Sequence, residues 1–287
     1  MRIDRRALIA LALLSAAVVA TAQAHDMFLK LQSFYQSPNS TVVISLMNGT
    51  FDESENTITR DRMADVSIVS PSGLAHPPVA AWRDTAAHHW DADSVDTALL
   101  EFETGAPGTY VVGVSTNRTV FTLTAQEFNE YLAHDGVVDA IEQREAAGKT
   151  NDEATERYSK HVKALLQVGN ERSDHFAHEL GYPAEIVPLQ NPYDLSVGDD
   201  LEVRFLRAGS PVASQIMYAS YDGHHGHDEA GDHVVAVTAR TNGQGVATIP
   251  LSQAGRWFIR TIHMVETNSE PDVDYESNWA TLTFETR

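Results

Sequence analysis

Short runs of β-branched residues, each bounded by turn residues, fill both ends of this chain and are scarce in its middle. In the first half the runs are TVVISL (41–46), DVSIVS (65–70), ALLEFE (98–103) and TYVVGVS (109–115). Runs of this length and composition predict strands, because branched side chains pack well on a pleated surface. Several such strands at close spacing predict an antiparallel sandwich.

The C-terminal part of the chain repeats this pattern more densely. Its strand candidates are DLEVRFLRAG, PVASQIMYAS, HVVAVTART, GVATIPL, GRWFIRTIHMV and WATLTFE. The segment TNGQG (241–245) lies between two of them and predicts a hairpin turn. Short strands at this density predict a second sandwich, immunoglobulin-like or transthyretin-like in type.

Residues 125–168 contain no proline and few β-branched runs, which favours helices. Thr124 followed by Glu127 has the spacing of a capping box, and the predicted helix ends at Gly136. In NDEATERYSKHVKALLQVG a helical period places four apolar residues on one face: Ala154, Tyr158, Val162 and Leu165. We therefore expect a helical segment between two β regions.

The beginning of the chain has the order of a secretory signal. Three arginines precede an apolar stretch, residues 7–20, and small residues follow it. The stretch is shorter than a membrane-spanning helix needs. We therefore expect export to a bacterial periplasm, with cleavage after Ala24 or after Ala22.

Together these patterns predict a mainly β protein with two immunoglobulin-like or transthyretin-like β-sandwich domains and an α-helical insert. The predicted parts are a signal peptide (1–24), an N-terminal sandwich (25–124), a helical insert or linker (125–180) and a C-terminal sandwich (181–287). The chain has no cysteine, so its hydrophobic cores must hold the exported protein together. A formal charge of −20 argues against nucleic acid as a partner.

Cleavage after Ala24 would make His25 the first residue, and its α-amine and imidazole Nδ1 could then hold one metal ion. Cleavage after Ala22 would leave Gln23-Ala24-His25, in which deprotonated amides could close around Cu(II) or Ni(II) together with the imidazole. The alternative is that His25 only begins a strand and contacts water. The sequence leaves these three readings open.

Other histidines are candidate metal ligands. His263, in the strand candidate RTIHMV, is the best partner for His25, although it could instead be satisfied by ordinary hydrogen bonds. His88 and His89 are adjacent, so only one of them could face a site on a strand. The segment DGHHGHDEAGDH (222–233) could capture cations or be a solvated hairpin loop, and its histidines are His224, His225, His227 and His233.

Several segments, in this order, resemble a periplasmic domain-of-unknown-function family associated with nickel and cobalt uptake (NikM-like). They are a His-Asp-aromatic start, ERYSKHVKALLQVG, LGYPAEIVPLQNPYDLSVGDDLEVRFLRAGSPV, TNGQGVATIPLSQAGRWFIRTIHMV and DYESNWATLTFE. The resemblance covers essentially the whole chain after the signal and implies β-sandwich architecture and a role beside metal-uptake systems. The long His-rich loop departs from the family.

These observations predict an exported accessory protein that binds a divalent transition metal and assists its uptake. The resemblance indicates nickel or cobalt as the ion and a membrane uptake transporter as the partner, whereas terminal-histidine chemistry indicates copper. No catalytic activity is predicted, because the sequence lacks a P-loop, a dinucleotide fingerprint, a G-x-S-x-G elbow and an H-E-x-x-H motif. The alternatives are a structural or adhesive module that binds protein or glycan, and a copper oxidoreductase built on His25.

Overall fold

The computed structural model describes residues 25–56, 58–86, 96–224, 226–227, 233–267 and 270–287. In the N-terminal half the strands are β1 (Met27–Lys30), β2 (Tyr35–Gln36), β3 (Thr41–Asn48), β4 (Met63–Ser70), β5 (Gly73–Ala75), β6 (Trp82–Ala86), β7 (Asp96–Glu103), β8 (Gly108–Thr116) and β9 (Thr119–Leu123). Two helices follow, α1 (Ala125–His134) and α2 (Val138–Ala146). No helix in the described ranges has the length and apolar character needed to cross a membrane.

The remaining strands are β10 (Ala154–Val168), β11 (Ala184–Pro188), β12 (Asp200–Arg207), β13 (Ser210–Pro211), β14 (Ile216–Tyr221), β15 (Gly226–His227), β16 (His233–Val234), β17 (Val237–Arg240), β18 (Val246–Pro250), β19 (Gly255–Glu266) and β20 (Tyr275–Thr286). The described chain is therefore mainly β, as the sequence predicts. Short 3₁₀ turns occur at Arg60–Arg62, Val79–Ala81, Asp174–Ala177 and Pro192–Asp194.

A ten-stranded central sheet organises the protein. Eight of its strands follow the order β17-β14-β19-β20-β10-β8-β4-β5, while β2 and β9 both pair with β10. A four-stranded N-terminal sheet has the order β1-β3-β7-β6, and a four-stranded C-terminal sheet contains β11, β12, β13 and β18. A two-stranded ladder joins β15 to β16.

The two four-stranded sheets cover opposite faces of the central sheet. On one face, Thr281 and Thr283 of β20 donate hydrogen bonds to the carbonyl oxygens of Met27 and Leu29 in β1. On the other face, Lys163 of β10 forms an ion pair with a glutamate of β11. Lys163 lies opposite Leu282, between the two threonines, and neighbouring residues of a strand point to opposite faces. The centre of the sheet is therefore covered on both sides.

Two groups of buried side chains result from this layering. The larger one runs through the central sheet and both four-stranded sheets and includes Phe34, Phe205 and Trp257, each almost completely buried. The smaller one packs α1 against the central sheet, with Phe128 beside Tyr275. Burial of this much apolar surface, at roughly 25 cal/mol per Å², is the main term that opposes chain entropy.

Helix α1 begins and is capped as the sequence predicts. The Thr124 backbone N–H donates to the Glu127 carboxylate at 3.0 Å, and the Glu127 N–H donates to the Thr124 hydroxyl at 3.4 Å. This reciprocal pair satisfies two donors that the first turn of a helix would otherwise leave free.

The predicted second helix is wrong, because residues 154–168 form the central strand β10. Its apolar residues match a helical period, but the strand is buried on both faces and therefore shows no alternation of polar and apolar residues. The charged residues of this segment have partners far away in the chain: Arg157 forms ion pairs with Glu276 of β20 and with Glu270, which precedes that strand. The second helix is α2, which precedes the predicted one.

The predicted TNGQG turn forms, but it does not join a hairpin. The Gly245 N–H donates to the Asn242 carbonyl at 2.9 Å. The strand before the turn, β17, pairs with β14 in the central sheet, whereas the strand after it, β18, pairs with β12 in the C-terminal sheet. The turn therefore carries the chain from one layer to the next. The central sheet also takes strands from both predicted sandwiches, with β10 between them.

Candidate metal site at the start of the first strand

His25 lies at the entrance to β1, facing the loop that follows β3. Its imidazole Nδ1 is 2.9 Å from Glu55 Oε2. Backbone hydrogen bonds hold the loop in place, since the Gly49 N–H donates to the Asp26 carbonyl at 2.9 Å and the Glu55 N–H to the Asn48 carbonyl at 3.0 Å. A Cβ at Gly49 would lie 2.4 Å from a backbone oxygen of the same loop, so this close turn requires glycine.

The His25 imidazole is held mainly in its neutral form. Burial lowers its pKa and outweighs the opposing effect of Glu55, while Lys160 lowers it further. The side chain still has 14% of its surface exposed, so a small ion can reach it. Neutral imidazole is the form that binds metal ions, because the lone pair must be free of a proton.

Beneath His25 lies a buried lysine. The Lys160 ammonium donates to the His25 carbonyl oxygen and lies 3.3 Å from Asn48 Oδ1. It also lies 4.9 Å from the centre of the Trp279 ring, close enough for a cation–π interaction. Burial lowers the pKa of Lys160 to about 8, with nearby carboxylates opposing that effect.

Asp26 is held by an arginine of β19. Arg260 Nε lies 3.0 Å from Asp26 Oδ2, and Arg260 Nη1 donates to the Asp135 carbonyl at 3.1 Å. Burial raises the pKa of Asp26, and Arg260 opposes this shift. The same guanidinium lies 4.8 Å from the Tyr218 ring centre. Arg260 therefore connects the start of β1 to the C-terminal end of α1.

His263 faces the other side of the sheet. It lies opposite Asn278 of β20, and its ring centre is 6.0 Å from that of Phe205 in the C-terminal sheet. Burial lowers the pKa of His263, and its Nδ1 is buried with no hydrogen-bond partner among the residues described. The ring lines an open cleft of about 490 Å³ beside α2.

The expectation that His25 and His263 share one ion is therefore not met. Arg260, which contacts Asp26, is three positions from His263 on the same strand, and odd spacing places the two side chains on opposite faces. The thickness of the central sheet separates the two imidazoles. Metal binding by either one alone stays a prediction.

The remaining predicted ligands are dispersed or lie outside the described residues. The His224 ring nitrogen Nε2 is 3.0 Å from the Val234 carbonyl oxygen. The backbones of His227 and His233 lie opposite each other in the β15–β16 ladder. His88, His89 and His225 lie outside the described residues, as does the predicted signal peptide.

Nowhere in the described ranges do three His, Asp or Glu side chains group so that they could hold a metal ion. His25 and Glu55 form a pair, and a site there would need a third donor from elsewhere. The separation of 2.9 Å suits two ligands on one ion, since groups about 2.0–2.1 Å from a metal at a right angle are about 2.9 Å apart. No sequence pattern distinguishes Glu55 from the chain's 40 acidic residues.

The chain has distant likenesses among solved structures. The chain is similar to the D0-D1 domain of Intimin at 9% identity, with 91% of this chain and 98% of that chain covered and a TM-score of 0.20. It is also similar to the fibronectin(III)-like modules of Clostridium thermocellum CbhA at 7% identity, with 90% and 94% covered and a TM-score of 0.18. Scores this low carry no argument about function. No curated protein matches the chain.

The sequence also matches one family model. That model is described as "Domain of unknown function (DUF4198)", and it matches residues 22–265, which is most of the chain. The matched region contains the start of β1, the central strand β10, both helices and nearly all of β19. The chain therefore belongs to the DUF4198 family.

Proposed function

We propose that this is an exported protein that binds a divalent transition-metal ion at its processed N-terminus and assists the uptake of that ion. The observation that supports this proposal best is the His25–Glu55 pair, in which a neutral imidazole nitrogen and a carboxylate oxygen lie 2.9 Å apart. Both groups lie at the end of the chain that signal cleavage would create. The ion is cargo rather than a resident cofactor, and we assign no catalysis to the protein.

Cleavage after Ala24 would supply the third donor. The new α-amine and the imidazole Nδ1 of His25 would bind the ion together, and the Glu55 carboxylate would complete a set of two nitrogens and one oxygen. Nitrogen and oxygen donors of this kind suit Cu(II) and Ni(II). The loss of the amine proton near neutral pH is accessible, because an α-amine has a pKa of about 7.7–8.0.

Cleavage after Ala22 would give a related site. The His25 amide nitrogen and Nδ1 would again bind the ion, joined by the new α-amine and one further amide nitrogen. Intact mass of the exported protein distinguishes the two forms. Both depend on His25, and the first depends more strongly on Glu55.

The identity of the ion and of the partner rests on two arguments. The donor set favours copper, since affinity for such sites rises through nickel to copper among divalent ions. The NikM-like resemblance supports nickel or cobalt as the cargo and a membrane uptake transporter as the partner. The charge of −20 attracts cations to the protein surface without defining a site.

The test measures metal affinity of the exported protein by competition with a chromogenic chelator, using Cu(II) and Ni(II) separately. We expect His25→Ala to abolish the highest-affinity step and Glu55→Gln to weaken it. A third variant carries one extra alanine before His25, which keeps the imidazole but moves the amine. His263→Ala is the matched control, because it removes an imidazole on the other face of the sheet.

Equal affinity of the wild type and His25→Ala would refute the proposal. That outcome would favour the structural or adhesive module, to be examined with protein and glycan arrays. Copper-dependent turnover with a reductant and dioxygen would instead favour the oxidoreductase.

A further inference from the structure

Two cations from different strands contact His25 and Asp26, the two residues that precede β1. Lys160 of β10 donates to the His25 carbonyl, and Arg260 of β19 pairs with the Asp26 carboxylate at 3.0 Å. The residue Lys160 is 3% exposed, and the side chain of Arg260 is 13% exposed. Few buried cations exist without a defined partner, because taking a charge out of water costs several kcal/mol.

From these contacts we propose that Lys160 and Arg260 are positioning residues for the N-terminal metal site. This inference rests on the proposed function. Lys160 fixes the direction of the His25 carbonyl and thereby the orientation of the peptide that carries the imidazole. Arg260 fixes Asp26, so the residue after His25 cannot rotate. These two contacts hold the backbone nitrogen and the imidazole Nδ1 of His25 beside the Glu55 carboxylate.

Both cations are themselves fixed by groups away from the site. Lys160 lies between Asn48 Oδ1 and the Trp279 ring, on the strand at the centre of the largest sheet. Arg260 is held by the Asp135 carbonyl and the face of Tyr218. Groups that orient a metal ligand in this way change metal affinity by roughly 10–100-fold when they are removed.

The placement has an unusual electrostatic consequence that makes the inference testable. Lys160 and Arg260 are positive and lie next to a site for a dication, so their charge alone weakens metal binding. Removing either charge should tighten binding if the residues act only through their electric field. Removing either side chain should weaken binding if the residues act by positioning. The two roles therefore predict opposite signs.

The experiment compares Lys160→Met with Lys163→Met in the exported, full-length mature protein. Lys163 is an equally buried lysine on the same strand, but it faces the C-terminal sheet. We expect Cu(II) affinity to fall roughly 10–100-fold in Lys160→Met and to stay unchanged in Lys163→Met. The electron paramagnetic resonance spectrum of bound Cu(II) should change from one species to a mixture in Lys160→Met.

A second matched pair covers the case in which a lysine variant does not fold. Arg260→Met and Arg256→Met alter the same face of β19, and each arginine pairs with one aspartate and bonds a backbone carbonyl. Arg256 contacts Asp222 and Leu31, away from His25. We expect weaker Cu(II) binding in Arg260→Met only.

Equal or tighter Cu(II) binding in both Lys160→Met and Arg260→Met would overturn the positioning role. If His25→Ala still abolished binding in that case, the proposed function would stand and only the positioning role of Lys160 and Arg260 would be wrong. If the wild type bound Cu(II) no better than His25→Ala, both would fall together.

Discussion

The Tyr131 hydroxyl of α1 donates a hydrogen bond to Glu156 Oε1 of β10 at 3.2 Å, and both side chains are buried. Ser277 of β20 donates to the same carboxylate oxygen, whereas Oε2 is buried with no hydrogen-bond partner in the part of the chain that the structure describes. Burial raises the pKa of Glu156 to about 7 despite these two donors. The Glu156 carboxyl group therefore links β10 to α1 and β20, and it changes its protonation state near neutral pH.

The raised pKa of Glu156 predicts a stability that falls as the pH rises. The folded protein keeps the proton up to about pH 7, whereas the unfolded chain loses it near its ordinary value of 4.5. The stabilisation is therefore fully present below pH 4.5 and is lost as the pH passes 7. It amounts to about 3 kcal/mol, since each unit of pKa difference corresponds to about 1.4 kcal/mol.

Glu156→Gln provides the measurement. Urea unfolding of both proteins at pH 5 and pH 8 should show a stability difference that moves by about 2–3 kcal/mol in favour of the variant at the higher pH. The difference between the two proteins cancels the other titrating groups. A pH-independent difference would mean that the buried carboxyl does not carry the proton.

Removing Glu185 should be among the most damaging single changes in the C-terminal half. Its carboxylate accepts from Lys163 at 3.1 Å and from the backbone N–H groups of Leu180 and Tyr182. Glu185→Ala would leave the Lys163 ammonium buried and unpaired, which costs about 3–5 kcal/mol. The double variant Lys163→Met/Glu185→Leu should recover much of that loss in chemical denaturation. Equal losses in the single and double variants would contradict this account.

Thr124→Ala should destabilise the protein by about 1 kcal/mol, the usual cost of losing a helix cap. The capping box links Thr124 to Glu127, and α1 in turn carries the aromatic residues that pack on the central sheet. Thermal unfolding of the variant, with Gln126→Ala as a surface control in the same turn, would measure the effect. A shift as small as that of the control would show that the cap is dispensable.

The His-rich segment is expected to raise metal capacity without supporting the fold. We predict that deleting residues 225–232 lowers the number of weakly bound Ni(II) or Zn(II) ions and leaves the melting temperature nearly unchanged. Asp222 must be retained, because it forms ion pairs with Lys30 and Arg256. A large fall in the melting temperature of the metal-free protein would mean that the segment is structural.

The sequence predicted most individual strands and α1 correctly because their signals are local. The strands TVVISL and TYVVGVS occupy β3 and β8, and the Thr124 cap begins α1 as expected. The prediction failed at β10, whose polar residues are buried among partners from distant parts of the chain. Lys160 and Lys163 lie on the two covered faces of the central strand, and no local pattern marks them as buried.

The candidate site was predictable only at His25. Its position after a cleavage signal is a local feature, whereas its contacts depend on loop closure and on strand register. Glu55 lies on a loop that folds back over β1, and no pattern in the sequence selects it. The separation of His25 from His263 follows from the alternation of side chains along β19, once the structure has shown which face of the central sheet β1 covers.

The position of β20 decides the order in which this protein can fold. It is the last strand, yet it lies inside the central sheet between β19 and β10, and its Thr281 bonds to Met27 across a sequence separation of 254 residues. Contacts between such distant residues must wait for costly loop closure, which slows folding. The edge of β10 that pairs with β20 stays open until β20 is available. A chain that is still being synthesised therefore cannot complete its core. Under the proposed export, this delay would keep the chain unfolded while it crosses the membrane.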